Sequence, residues 1–146
     1  MILIGENINI MSLTIGPAFK ERNPGPIQEL AKAEVESGVD YLDLNIGPAR
    51  KAGGELMEWV VNTVQEAESK PLSLDTTNLV AMEAGLKVAR SKPVINSVSL
   101  QPDRMEQGLR LAKQYNADLI SLLWGAEGMP RDANERAMHA VNFVYQ

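Results

Sequence analysis

The chain contains no cysteine, and only one of its 146 residues is a histidine. The first absence excludes a disulfide framework, a Cys-ligated zinc site and a thiol nucleophile. No apolar run approaches the roughly 18 residues that a membrane span needs. Nucleic acid is a poor partner for it: Asp and Glu number 19 against 14 Lys and Arg, a net charge of −5, whereas phosphate neutralisation needs clustered cations. The glycines form neither GxGxxG nor GxxxxGK(S/T), so no nucleotide-phosphate fingerprint is present. The amino terminus, MILIGENINI, lacks a basic region and carries an acid at Glu6; no signal peptide is expected, and the expected compartment is the cytoplasm. Hydrophobic residues at 45% and charged residues at 23% suit a packed core rather than disorder. The length suits one domain or part of a larger one.

Short apolar runs alternate with longer helical stretches. The runs are Ile2–Ile4, Tyr41–Ile46, Leu72–Asp75, Val94–Leu100 and Leu119–Trp124, most of them ending at Gly, Pro or Asn as buried parallel strands do. Between them, Ile27, Leu30, Ala31 and Val35 share a helical face, as do Leu56, Val60, Val64 and Ala67. Leu79, Met82, Leu86 and Ala89 form a third stripe, and Met105, Leu109 and Ala112 a fourth. Gly38 and Asn116 are placed to stop helices in the left-handed conformation, and Pro102 suits a first helical turn. Asn134 to Tyr145 reads as a last helix. Strands alternating with helices imply a parallel sheet with right-handed crossovers. Two architectures compete: an open doubly wound sheet, and a (β/α)8 barrel, which needs about 250 residues. Five units would be five-eighths of a barrel. The last helix ends without a cap, which reads as a cut chain, and strands one and five are then expected to be covered by something outside these residues.

Polar residues gather where four of these strands end: Glu6, Asn7 and Asn9; Asp43 and Asn45; Asp75; and Asn96, Ser97 and Ser99. That edge is where both architectures place their sites. Three of these residues also have a purely structural use: Asp43 as a loop cap, Asp75 as an N-cap for the helix starting near Asn78, Asn96 as a tie for an adjacent turn. Together they suggest one polar pocket. Asp offers two acceptors and Asn a paired donor and acceptor, a set that reads a planar heterocycle with amide-like edges. The set lacks the His, Cys or Lys of nucleophilic or redox chemistry, and no metal-ligand cluster stands out. The stretch from Asn45 to Glu55, with Arg50, Lys51 and three glycines, reads equally as a mobile loop meeting an anionic tail and as a solvated surface loop. His139 reads as a helical-face residue without a role, far from any strand end. Trp59 and Trp124 read as packing residues, although Trp124 lies at a strand end, and the seven methionines as core fillers.

MILIGENIN, YLDLNIGPA, LSLDTTN and VINSVSL, in this order, resemble the pterin-binding methyltransferases, in particular the methyltetrahydrofolate:corrinoid/iron–sulfur protein methyltransferases. The folate domain of cobalamin-dependent methionine synthase is similar through Asn96 to Leu100, and dihydropteroate synthase is a more distant relation. The resemblance spans nearly the whole chain, including Gly128-Met129-Pro130. It implies a (β/α)8 TIM barrel of the pterin-binding type, of which this chain is the N-terminal part and covers about the first five βα units. It implies a homodimer that binds methyltetrahydrofolate or tetrahydrofolate and passes the N5-methyl group to the cobalt of a corrinoid (cobalamin) carried by a partner corrinoid protein. Under the resemblance Asp75 hydrogen-bonds the pterin ring and Asn96 contacts the same ring, with Ser97 beside it. Asp43 and Asn45 fall on the second-strand motif, and Glu6 and Asn9 on the first. The family's further contacts, on strands six and seven, are absent here. Two alternatives stay open. A dihydropteroate synthase would show DxGG followed by Ser or Thr where this chain has Asp43-Leu44-Asn45 and Gly47-Pro48, and a non-catalytic folate-binding piece suits the length.

Overall fold

A computed structural model of the protein describes residues 1–145. Five strands, β1 (Ile4–Gly5), β2 (Tyr41–Asn45), β3 (Leu72–Asp75), β4 (Val94–Ser99) and β5 (Asp118–Leu122), form one parallel sheet in the order β1-β2-β3-β4-β5. This order decides between the two architectures. A doubly wound sheet reverses direction at a switch point, whereas here every unit adds to the same edge, as in a (β/α)8 barrel. The helices between the strands are α1 (Gly16–Glu21), α2 (Pro24–Glu36), α3 (Gly53–Ala67), α4 (Leu79–Val88), α5 (Pro102–Tyr115) and, after β5, α6 (Ala133–Val144). No helix among the described residues is long and apolar enough to cross a membrane.

Side chains alternate along each strand. Leu42 and Leu44, Leu72 and Leu74, and Ile95 are buried in one core with Ile27 and Ala31 of α2, Met57, Val60, Val61 and Val64 of α3, and Met82 and Leu86 of α4. Each such aliphatic chain contributes about 1.5–3 kcal/mol when fully buried. The intervening strand residues are Asp43 and Asn45, Ser73 and Asp75, and Asn96, so the opposite face is polar. Register holds these rows level: Asp43 lies beside Ser73, Asn45 beside Asp75, and Asp75 beside Asn96.

Local chemistry sets the helix ends. Asn23 caps α2 by accepting from the Gly25 N–H, with Pro24 next in line. Asn116 stops α5 at φ 51°, and Gly38 takes φ 90° beyond α2, as their positions imply. In α5 the buried residues are Gly108, Leu111 and Ala112, while Met105 and Leu109 are only half-buried. A Cβ on Gly108 would lie 2.6 Å from Val98, so the glycine lets this helix approach β4.

Several expectations need correction. The first strand is Ile4–Gly5 rather than Ile2–Ile4; Ile2 and Leu3 are exposed, and the Leu3 N–H and carbonyl are held by Asp40 and Tyr41. The short α1 was unforeseen: six residues are too few for a periodic stripe, although its Ala18 and Phe19 are buried. In the Asn45–Glu55 stretch, Arg50, Lys51 and Ala52 are exposed, as in a solvated surface loop, and Gly53 opens α3, while the start is tied down, because Thr76 donates to the Gly47 carbonyl at 2.6 Å and Asn78 to the Ala49 carbonyl at 2.9 Å. Of the methionines, Met57 and Met82 are core, but Met1, Met11, Met129 and Met138 are exposed. His139 packs on Gly125, just past β5, and is therefore close to a strand end. Trp59 packs edge-to-face on Phe19 beneath Arg22, as a packing residue should. Trp124 is 40% exposed and does not pack in the core. None of the side chains of α6 is buried.

Candidate functional site

The polar face of β2, β3 and β4 carries one hydrogen-bond chain. At its base Asp43 is 2% exposed. Its Oδ1 accepts from the Ser73 hydroxyl at 2.5 Å and from the Asn96 amide at 3.0 Å. One layer above, Asn45 accepts from the Gly47 N–H at 2.9 Å and donates its amide to Asp75 Oδ2. These partners fix both amides. A carboxylate only accepts, so Asn96 must turn its NH2 to Asp43, which leaves its carbonyl oxygen toward the cup. The Gly47 N–H likewise fixes the Asn45 oxygen and sends its NH2 to Asp75. Among the described residues, no protein donor meets Asp75 Oδ1 or Asn96 Oδ1. Two acceptors on adjacent strands thus face the cup.

Electrostatics sharpens the pair. Burial, then repulsion from Asp43, then from Glu6, pushes the Asp75 carboxyl up from 3.8 to about 6. Burial also raises Asp43, against the downward pull of the Ser73 and Asn96 hydrogen bonds. At neutral pH Asp75 remains an anion but an unsettled one, which a ligand's N–H donors would stabilise.

Asp75, Asn96 and Ser97 line one cavity of about 370 Å³, together with Arg104 and Trp124. A bulge in the β4–β5 pairing falls at Ser97, between Asn96 and Val98, a device that re-aims side chains near sites. Asn45 and Asp43 support this cavity from the side and from below. The first-strand residues go elsewhere. Glu6 and Asn9 line a separate cavity of about 600 Å³ with Asn7, Met11 and Leu30. Asn9 uses its Oδ1 on the Met11 N–H at 2.9 Å, and only its backbone pairs with Asn45. Glu6 reaches the cup as a charge rather than as a contact. The helix-capping role weighed for Asp75 belongs to Asn78, which accepts from the Val80 and Ala81 N–H groups.

Sequence reading missed Ser73, Thr76, Arg104 and Trp124. Ser73 was findable, because it faces the same side as Asp75 two residues on. Arg104 carries no local signal, since only the fold brings it over the cavity. No group of three or more His, Cys, Asp or Glu able to hold a metal occurs among the described residues.

A family model described as pterin binding enzyme matches residues 19–145. A curated relative, methylcorrinoid:tetrahydrofolate methyltransferase of Eubacterium limosum, is 27% identical over 138 residues, covering 93% of this chain and 51% of its own length. The chain thus spans about half the length of the relative that it matches.

Proposed function

The chain belongs to the pterin-binding enzyme family, and from that premise we propose that the protein is a methyltransferase acting between a folate and a corrinoid. The observation that carries this is the pair of outward-facing acceptors, Asp75 Oδ1 and Asn96 Oδ1, locked from behind by Asn45 and Asp43. A pterin presents ring and amino N–H donors along one edge, and two level acceptors on neighbouring strands suit that edge. The corrinoid cobalt, carried by a partner protein, supplies the methyl-carrying chemistry. The residues here bind the ring and hold it in place, and orientation alone can supply several kcal/mol of a transfer barrier. Ser97 borders the ring site, while Glu6 contributes charge.

The relative's name runs from a methylated corrinoid to tetrahydrofolate, the reverse of the transfer that the family resemblance implies, a direction that the sequence itself leaves open, and we adopt the relative's direction. One transition state serves both directions, so the roles of Asp75 and Asn96 are the same in each. The reading also includes a homodimer, as the family resemblance implies, and a cytoplasmic location. The test is calorimetric titration of the full-length protein with methyltetrahydrofolate. Asp75→Ala should weaken binding by at least tenfold, about 1.4 kcal/mol. Unchanged affinity would remove Asp75 from the site and the proposal with it.

A further inference from the structure

The pterin reading leaves one cation in the cup without a task. Arg104 lines the same cavity as Asp75 and Asn96. Its guanidinium donates to the Thr77 carbonyl at 2.8 Å and to the Ser97 carbonyl at 3.5 Å. One carbonyl belongs to the loop after β3 and the other to the bulge of β4, so two walls of the cavity hold the group in place. It has no carboxylate partner: the ion pairs among the described residues are Lys87–Glu83, Lys92–Asp118 and Arg131–Glu135. At most two of its five N–H donors are used.

Helix stability does not explain the residue either. Arg104 stands in the first turn of α5, where the helix dipole disfavours a cation. Nor does a pterin head, which is donor-rich and uncharged. A folate differs from a bare pterin by an aryl ring and a glutamate portion with two carboxylates. In a chain of net charge −5, with Asp75 in the same cavity, such a dianion is repelled unless a cation receives it. A guanidinium pre-oriented by carbonyls, with its fork unfilled, is suited to a carboxylate. The exposed indole of Trp124 lines the same cavity and offers the aryl portion an apolar surface.

We infer that Arg104 is the subsite for the substrate's anionic tail, holding a carboxylate of the folate's glutamate portion and so selecting folates over pterins that lack it. This rests on the methyltransferase reading above.

The test titrates the full-length protein and its Arg104→Met and Arg104→Lys variants with three ligands: methyltetrahydrofolate, a methylated tetrahydropterin without the tail, and inorganic phosphate as competitor. Arg104→Met should bind methyltetrahydrofolate about tenfold more weakly while leaving the tail-less ligand unchanged. Arg104→Lys should recover most of the loss, and high salt should narrow the gap. Phosphate should compete with the tailed ligand alone. Equal affinity of Arg104→Met and the unsubstituted protein for methyltetrahydrofolate overturns the inference. So does an equal loss for both pterins, which would make Arg104 only a tie between loops, and so does a phosphate site lost with Arg104 while folate affinity holds. Failure of the unsubstituted protein to bind any pterin overturns the underlying reading instead, and is seen before any variant is made.

Discussion

Asp75→Asn should make the protein more stable at neutral pH while damaging its site. The asparagine keeps an oxygen to accept from Asn45, so the hydrogen bond survives. What disappears is a charge disfavoured first by burial, then by Asp43 and Glu6. The carboxyl rises from 3.8 unfolded to about 6 folded. At about 1.36 kcal/mol per pH unit, full enclosure would make this ~3 kcal/mol. Asp75 is only half-buried, and solvent screening reduces it to ~1.5 kcal/mol. Between these two values the folded chain holds a proton that the unfolded chain has released. The stability of the native sequence therefore falls as pH rises through that window. Urea unfolding at about pH 7 should find Asp75→Asn more stable by ~1.5 kcal/mol, with the gap closing below about pH 4, where the native carboxyl is protonated in both states. A variant of equal or lower stability at about pH 7, or a gap that persists at about pH 4, would refute the reasoning.

Asp43→Ala should cost ~2–3 kcal/mol in urea unfolding, because it strands the buried Ser73 hydroxyl and unties the Asn96 amide. Pterin affinity should fall with it, and an unchanged affinity would mean that Asn96 needs no support from below. Asn78→Ala should destabilise by ~1–2 kcal/mol through loss of the α4 cap and of the tie to Ala49, again measured by urea unfolding.

The strands and helices were legible because apolar runs and 3.6-residue stripes differ in period, and Leu42, Leu44, Leu72 and Leu74 sit where that pattern puts them. The polar strand ends were legible as a set because parallel strands of like length end on one edge. What escaped depends on spatial neighbours. Whether Asp75 or Asn78 caps α4 is settled by a turn geometry that both residues could satisfy on paper. Glu6 and Asn9 part from the other polar residues because β1 ends early and the chain after it bends back through Asn9 to Met11. Glu34, 5% exposed, takes the Asn7 backbone and side chain on its Oε1, while its Oε2 has no partner among the described residues. Glu34 stands on the apolar face of α2 with Ile27 and Ala31, but a lone carboxylate in such a stripe reads as a residue at its border, and only the fold shows that Asn7 meets it there.

The ties among the rim loops bear on the entropy of binding. Thr76 holds Gly47, Asn78 holds Ala49, and Arg104 holds Thr77 and Ser97, so the segments after β2, β3 and β4 are joined side to side. Freezing a mobile side chain on association costs about 0.5–1.5 kcal/mol. With three such groups already fixed when the chain folds, roughly 2–4 kcal/mol of ordering does not fall on the ligand. A pterin then meets a mould rather than a set of loops to be gathered, its affinity should depend only weakly on its own power to organise the protein, and arrival and departure should not wait on a closing lid.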